Sequence, residues 1–176
     1  AYEYSQIFSA FGARVHVIER HTHLLHNEDS EVGDLAEASL QASGVRVHLG
    51  AKVVKVSGDK KHKIVAFEQN GQEHRIACDT IMVASGKKPN IDFGLENTGI
   101  KFSNLGVRVN SSMQTTKKHI FAAGDIIGGD QFAHVATQHA RVAAHNMFHS
   151  KKARYNTHAI PRIFYGMPEI ASVGKT

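Results

Sequence analysis

Tryptophan is absent from this 176-residue chain, proline occurs three times and cysteine once, as Cys78. A lone cysteine excludes an internal disulfide and fits a reducing, cytoplasmic setting. No apolar run approaches the ~20 residues of a membrane span, and no leader opens the sequence. A basic stripe with interleaved aromatics is also missing. The 21 Lys and Arg outnumber the 16 Asp and Glu to give a net charge of +5, but they are scattered, the densest being Lys60-Lys61, Lys87-Lys88, Lys117-Lys118 and Lys151-Lys152. No nucleic-acid or membrane partner is therefore expected, whereas phosphorylated small molecules suit the charge balance. The 41% hydrophobic content and 15 glycines suit a globular chain and exclude a disordered or collagen-like one.

Tyr4, Ile7, Phe8 and Phe11 fall at helical spacing before Gly12, predicting a helix over 1–11. Alternation and β-branching predict a strand over 14–19. A helix follows over 30–41, with Ser30 as cap and Gly44 as terminator, and then a strand over 45–49. Helix–strand–helix–strand is the rhythm of a parallel sheet with covering helices. Strands at 52–57, 63–68 and 73–77, divided by Gly58-Asp59 and Asn70-Gly71, predict an antiparallel meander. The apolar stretch 79–84 reads as a strand buried on both faces, broken by Ser85-Gly-Lys-Lys-Pro-Asn90. Residues 91–118 are loop-rich, with one short strand at 106–110. A buried strand is expected at 119–123, a long helix from Gln131 to about His149, and strands at 160–165 and 169–173. Because residue 1 falls inside a helix pattern without start methionine or cap, the chain reads as an internal piece of a longer polypeptide.

Three constellations could carry chemistry. Glu19 ends the second element of a dinucleotide-fold pattern, where an acid accepts hydrogen bonds from ribose hydroxyls; a solvated strand-end glutamate is the alternative. Gly86 follows an apolar strand, where backbone can approach a ligand closely or simply turn. Phe121-Ala-Ala-Gly-Asp125 ends a further strand, and Gly128-Gly-Asp-Gln-Phe-Ala-His-Val-Ala136 opens a helix whose amides can face an electron-rich ring edge. A structural turn would also explain that pattern. Cys78 reads as a small structural residue. His16, His21, His23 and His26 lack metal-ligand spacing and read as solvated, and no metal is expected. Among the helix histidines, His139, His145 and His149 are assigned to solvent or neighbouring packing.

The blocks Ala1-Tyr-Glu-Tyr-Ser-Gln-Ile-Phe, Val17-Ile-Glu-Arg, Ala84-Ser-Gly-Lys-Lys-Pro-Asn, Phe121-Ala-Ala-Gly-Asp, Ala133-His-Val-Ala and Pro168-Glu-Ile-Ala-Ser-Val-Gly resemble, in order, the class I pyridine nucleotide-disulfide oxidoreductases. This is the family of dihydrolipoamide dehydrogenase, glutathione reductase and mercuric reductase. The resemblance implies an α/β fold: a Rossmann-like NAD-binding lobe with its first strand missing and an antiparallel meander (1–83), the second segment of an FAD-binding lobe (84–157), and the start of an α+β interface domain (158–176). It implies NAD-side roles for Ala1 (end of the Gly-rich fingerprint), Glu3 (beside nicotinamide and flavin), Glu19 (ribose), Val53 (near adenine), Gly86 (backbone contact) and Lys87, where the family usually has Arg. It implies FAD-side roles for Asp125 and for Gln131, Phe132, Ala133 and His134 at the helix start. Arg20 aligns with a 2′-phosphate position of NADPH-using members, but the adjacent Glu19 favours NADH.

The expected function is part of an FAD-dependent oxidoreductase passing a hydride from NAD(P)H to flavin and on to a small-molecule or protein-bound disulfide. It is closest to dihydrolipoamide dehydrogenase, with mercuric reductase and transhydrogenase as alternatives, and the parent is a homodimer. The redox cysteine pair and the acid–base His and Glu of the family fall outside these residues, so the chain alone is expected to be inactive and to bind FAD weakly or not at all. A non-catalytic nucleotide-binding module is the rival from another class.

Overall fold

The computed structural model describes residues 1–174 and forms two compact units. The first combines Ala1–Ala84 with Arg162–Ser172; the second is built from Ser85–Pro161 and takes in residues 173–174. No helix among the described residues is long and apolar enough to cross a membrane.

In the first unit, α1 (Tyr2–Ala10) buries Tyr2 and Ser5, and Gly12 stops it at φ 86°. Strand β1 (His16–Ile18) lies parallel to β2 (Arg46–His48) in the register Val17 opposite Val47. Parallel neighbours require a crossover, supplied by α2 (Ser30–Ala42). The N-cap of α2 is Asp29 rather than Ser30, with extended φ/ψ and no side-chain capping bond; Ser30 is already the first helical residue. Gly33, Ala36 and Leu40 recur at helical spacing on its buried face. A Cβ on Gly33 would stand 2.7 Å from the Leu24 carbonyl oxygen, so only glycine lets helix and loop approach so closely. Tyr2, Leu24, Ala36, Leu40, Val45 and Ile170 form one core.

Strands β3 (Lys52–Gly58), β4 (Lys63–Gln69) and β5 (Gln72–Cys78) make the expected antiparallel meander, with a bulge between Val53 and Lys55. The central strand buries Val65, Ala66 and Phe67. Strands β8 (Arg162–Phe164) and β9 (Ile170–Ser172) pair antiparallel. Glu28, whose side chain is 7% exposed, holds both of them: Oε1 takes the Arg162 guanidinium at 2.9 Å, and Oε2 accepts the Ser172 hydroxyl at 2.8 Å. The buried carboxylate thus has partners on both oxygens.

The second unit is dominated by turns. A 3-10 turn at Leu95–Thr98 precedes the short hairpin of β6 (Phe102–Ser103) and β7 (Gly106–Val107). Leu95, Ile100 and Val107 form its core, flanked by Ile120, Ala122, Ile126 and Ile127. A second 3-10 turn, Gly124–Ile127, leads to α3 (Ala133–Phe148), which buries the stripe Val135, His139, Ala143 and Asn146. Asn146 spans the Ser112 and Ala153 carbonyls with its amide group and accepts the Ala153 N–H.

Two expected strands do not form. Residues 79–84 join no ladder, with Met82 and Val83 exposed. An apolar run becomes a buried strand only beside ladder partners, and none of the described residues supplies one here. Residues 119–123 make a single bridge, Phe121 to Gln114, plus Ile120 and Ala122 backbone bonds to Thr115 and Met113, and are half-buried or exposed. The strand expected over 106–110 shrinks to Gly106–Val107 with a bridge from Val109 to Thr115.

Candidate functional site

Glu19 lies directly after β1, at the carboxyl end of a parallel strand, the edge where open α/β sheets take ligands. Its backbone is fixed on both sides: the N–H donates to the His48 carbonyl, and the carbonyl accepts the Ala51 N–H, each at 2.9 Å. Oε1 accepts the His21 backbone N–H at 2.9 Å and meets His21 Nδ1 at 2.6 Å. Partial burial pushes the carboxyl pKa up, but the two hydrogen bonds from His21 and the nearby His21 and His26 rings outweigh it and hold the group below the ordinary carboxylate value. Glu19 is therefore an anion whose position is set by Oε1.

Next to it opens a cleft of about 460 Å³ lined by Arg20, His21, His23, His26, Glu28 and Ser30. His21 and His26 stack at 3.8 Å, and His23 Nδ1 lies 3.5 Å from Asp34. His23 and His26 are exposed, as expected, while His21 is half-buried, and each lies beside a ring or a carboxylate. His16, at the start of β1, faces His48 across the sheet with Nδ1 and Nε2 3.1 Å apart. Among the described residues, no three His, Cys, Asp or Glu side chains gather as a metal centre would require.

The other residues assigned to this side are spread over the first unit. Ala1 precedes α1 and accepts both the N–H and the hydroxyl of Ser5. Glu3 Oε1 accepts the Tyr165 N–H at 2.8 Å, so its carboxylate is engaged by the turn of the β8–β9 hairpin. Val53 is exposed on β3, opposite Phe67 and next to the bulge. Cys78 ends β5 as a half-buried free thiol.

In the second unit the structure brings three assigned residues together. Lys87 Nζ lies 3.3 Å from Asp125 Oδ2 and donates to the Gln131 carbonyl at 2.8 Å. Lys87, expected with the nicotinamide nucleotide, thus joins Asp125 and Gln131 of the flavin set. Gly86 beside it has φ 110° with nothing within 4 Å of where a Cβ would stand, so its backbone is open to a ligand. Asp125 belongs to the 3-10 turn, and Gly128 and Gly129 continue from it at φ 72° and 71°.

Phe132 is the N-cap of α3, and its side chain makes no capping bond. The first-turn amides, on Ala133, His134 and Val135, carry the positive end of the helix dipole. Phe132 and His134 stack at 5.5 Å, and His134 Nε2 meets the Pro161 carbonyl at 2.8 Å. Sequence reasoning missed His139, whose Nδ1 accepts the Gly124 N–H at 3.3 Å just before Asp125. The available signal was its place on the apolar stripe Val135–His139–Ala143 of α3.

Residues 1–140 match the family model described as pyridine nucleotide-disulphide oxidoreductase. A dihydrolipoyl dehydrogenase of Bacillus subtilis (strain 168) is 35% identical over 99% of this chain and 38% of its own length. A mercuric reductase of Staphylococcus aureus is 33% identical over 100% of this chain and 32% of its own. Among solved structures, the HOCl-induced flavoprotein disulfide reductase RclA of Escherichia coli superposes with a TM-score of 0.86 at 25% identity, over 98% of this chain and 39% of that one. The chain spans well under half the length of these relatives. With the family model covering residues 1–140 and these relatives matching essentially the whole chain, the protein belongs to the pyridine nucleotide-disulphide oxidoreductases.

Proposed function

We propose that this chain is the coenzyme-handling part of an FAD-dependent oxidoreductase in which NADH reduces flavin and the flavin reduces a disulfide. In this reading Ala1–Val83 supplies the pyridine-nucleotide lobe, 84–157 the returning segment of the FAD lobe, and 158–176 the beginning of a dimer-forming domain. The observation that carries it is Glu19, an anion fixed at the carboxyl end of a parallel strand with Oε1 already engaged. Among the described residues Oε2 is the oxygen left for a ribose hydroxyl. A carboxylate there repels a 2′-phosphate, which supports NADH over NADPH despite Arg20 in the adjoining cleft.

The second unit fits a flavin dinucleotide. The start of α3 offers amide donors to the pyrimidine edge, and the positive dipole end favours negative charge there. Asp125 accepts ribityl hydroxyls, and Lys87 offsets its charge and fixes the turn. A bound flavin would supply the hydride-accepting and electron-passing chemistry, and Asp125, Lys87 and the start of α3 would hold and orient it. Dihydrolipoamide-type disulfides are the favoured acceptor and the cytoplasm the favoured setting. The stretch Gly128–Ala136 and the mercuric-reductase relative keep metal-ion reduction as the second reading.

Titrating the chain with NADH and NADPH by fluorescence tests the nucleotide assignment. NADH is expected to bind more tightly, and Glu19→Gln to weaken it about tenfold, the loss of roughly 1.4 kcal/mol expected for a charge-assisted hydrogen bond. Equal NADH affinity in wild type and variant overturns the role of Glu19. Robust disulfide turnover by the 176-residue chain alone overturns the division of labour.

A further inference from the structure

His139 is buried, 4% exposed, on the face of α3 that packs against the 3-10 turn. The approach is close: a Cβ on Gly124 would lie 3.2 Å from the Ala136 Cβ, and Gly124 holds φ 78°. The one polar link from His139 to the turn is Nδ1, which accepts the Gly124 N–H at 3.3 Å. A backbone amide can only donate, so Nδ1 must carry a lone pair and the ring must be the neutral Nε2–H tautomer. From the other side Tyr155 meets the ring edge-on at 4.2 Å and 79°, with its hydroxyl buried and unpartnered. The charged group that acts on both rings is Asp130, in the loop ahead of α3. Burial lowers the pKa of His139 below its ordinary 6.5, with the Asp130 carboxylate pulling partly back.

We infer that His139 is a positioning residue for the flavin site, clamping the Gly124–Asp125 turn in its ligand-facing geometry while the imidazole is neutral and releasing it when the ring gains a proton. Protonation converts Nδ1 from acceptor to donor, setting two N–H groups against each other beside a buried ring. The turn must then shift, and Asp125, its next residue, shifts with it. The consequence for flavin rests on the assignment of Asp125 proposed above; the clamp itself does not.

The test is a pH titration of the isotope-labelled chain from pH 8 to 5 by proton–nitrogen NMR, without cofactor. The Gly124 and Asp125 amide resonances are expected to move with the same midpoint as the His139 ring, and Gly124 amide exchange to quicken at least tenfold on the acid side. His139→Asn, whose Oδ1 stands near the place of Nδ1, should keep the amide protected and insensitive to pH. His139→Ala should lose the protection at every pH. A Gly124 amide that does not follow His139, or that titrates equally in His139→Asn, overturns the clamp. A parallel FAD titration at pH 7.5 and 5.5 reads the link to the cofactor. Affinity falling on acidification in wild type but not in His139→Asn supports it; unchanged affinity refutes the link. If FAD does not bind at either pH, the outcome expected of this chain by itself, the amide titration alone decides the clamp, and a Gly124 amide indifferent to His139 overturns it.

Discussion

Replacing Gly166 with alanine tests how the β8–β9 hairpin is seated within the first unit. Gly166 needs no left-handed backbone, so the substitution acts by contact alone. A Cβ there would lie 2.3 Å from Tyr2 Cε1 and 2.7 Å from both Cζ and the hydroxyl oxygen. Ordinary carbon–carbon contacts begin near 3.5 Å, so either the ring or the turn must retreat by about 1 Å. The ring is 6% exposed among Leu24, Ala36, Leu40, Val45 and Ile170. Forcing an extra methyl against such a core costs about 1–3 kcal/mol. Retreat also strains the long hydroxyl contacts to Ser39 Oγ at 3.3 Å and the Pro168 carbonyl at 3.4 Å, worth at most about 1 kcal/mol together. A loss of roughly 2–3 kcal/mol is expected, measured by urea unfolding with hydrogen exchange of the α1 and α2 amides as the local probe. Tyr2→Ala alone should cost about 3–5 kcal/mol by leaving a cavity. Because it removes the obstacle, adding Gly166→Ala to it should cost almost nothing. If the two losses simply add, within about 0.5 kcal/mol, the clash is not what makes glycine necessary.

Gly106→Ala should destabilise the second unit by at least ~1–3 kcal/mol, because φ is 122° and its Cβ would meet the Ile126 carbonyl oxygen at 2.6 Å; unchanged exchange of the Ile126–Gly128 amides would contradict this. Lys87→Met should change unfolding free energy by less than ~1 kcal/mol, since Lys87 and Asp125 are 60% and 51% exposed; a larger loss in urea midpoint would mean the pair holds the unit together. His16 and His48 both titrate below their ordinary 6.5, chiefly through burial. For His16, the neighbouring His48, Arg46 and Arg14 charges add to this; for His48, His74 and Arg46 do, while a Gln69 hydrogen bond opposes. The unfolded chain thus binds more protons than the folded one as pH falls through 6.5, so first-unit stability should be full above that value and decline below it. The urea midpoint read on β1 and β2 amides should be lower at pH 5.5 than at 7.5, and His48→Gln should flatten the difference; a flat wild-type profile would refute the reasoning.

The legible features were those whose cause is local. Helix periodicity with Gly12 and Gly44 as stops marked α1 and α2, and Asn70-Gly71 marked the β4–β5 turn, both within a residue or two. Residues 79–84 and 119–123 carried the composition of buried strands, but strand formation depends on distant partners that composition does not name. Ser30 was read as a cap because serine suits that position; Asp29 stands there instead, one residue earlier. At the candidate site, Glu19 and Asp125 stand out in the sequence because an acid after a strand-like run is a recognisable pattern, although only Glu19 follows a strand in the structure. The capture of Lys87 by Asp125 and Gln131, and of Glu3 by the Tyr165 amide, depends on side chains brought together across 38, 44 and 162 positions of sequence. His139 could have been suspected from its place on an apolar stripe, since a histidine there must satisfy its ring nitrogens inside the fold.

The first unit is not contiguous: Ile170 completes the core begun by Tyr2, and Glu28 waits for Arg162 and Ser172. During translation at about 5–20 residues per second, the ribosome must make all of Ser85–Pro161, the bulk of the second unit, before that core can close. Until then Glu28 holds its charge without either partner, and the surface destined for Ile170 is open to other apolar surfaces. Synthesis order and folding order are therefore crossed here, and Ser85–Pro161 can fold while the first unit is still waiting for its last hairpin.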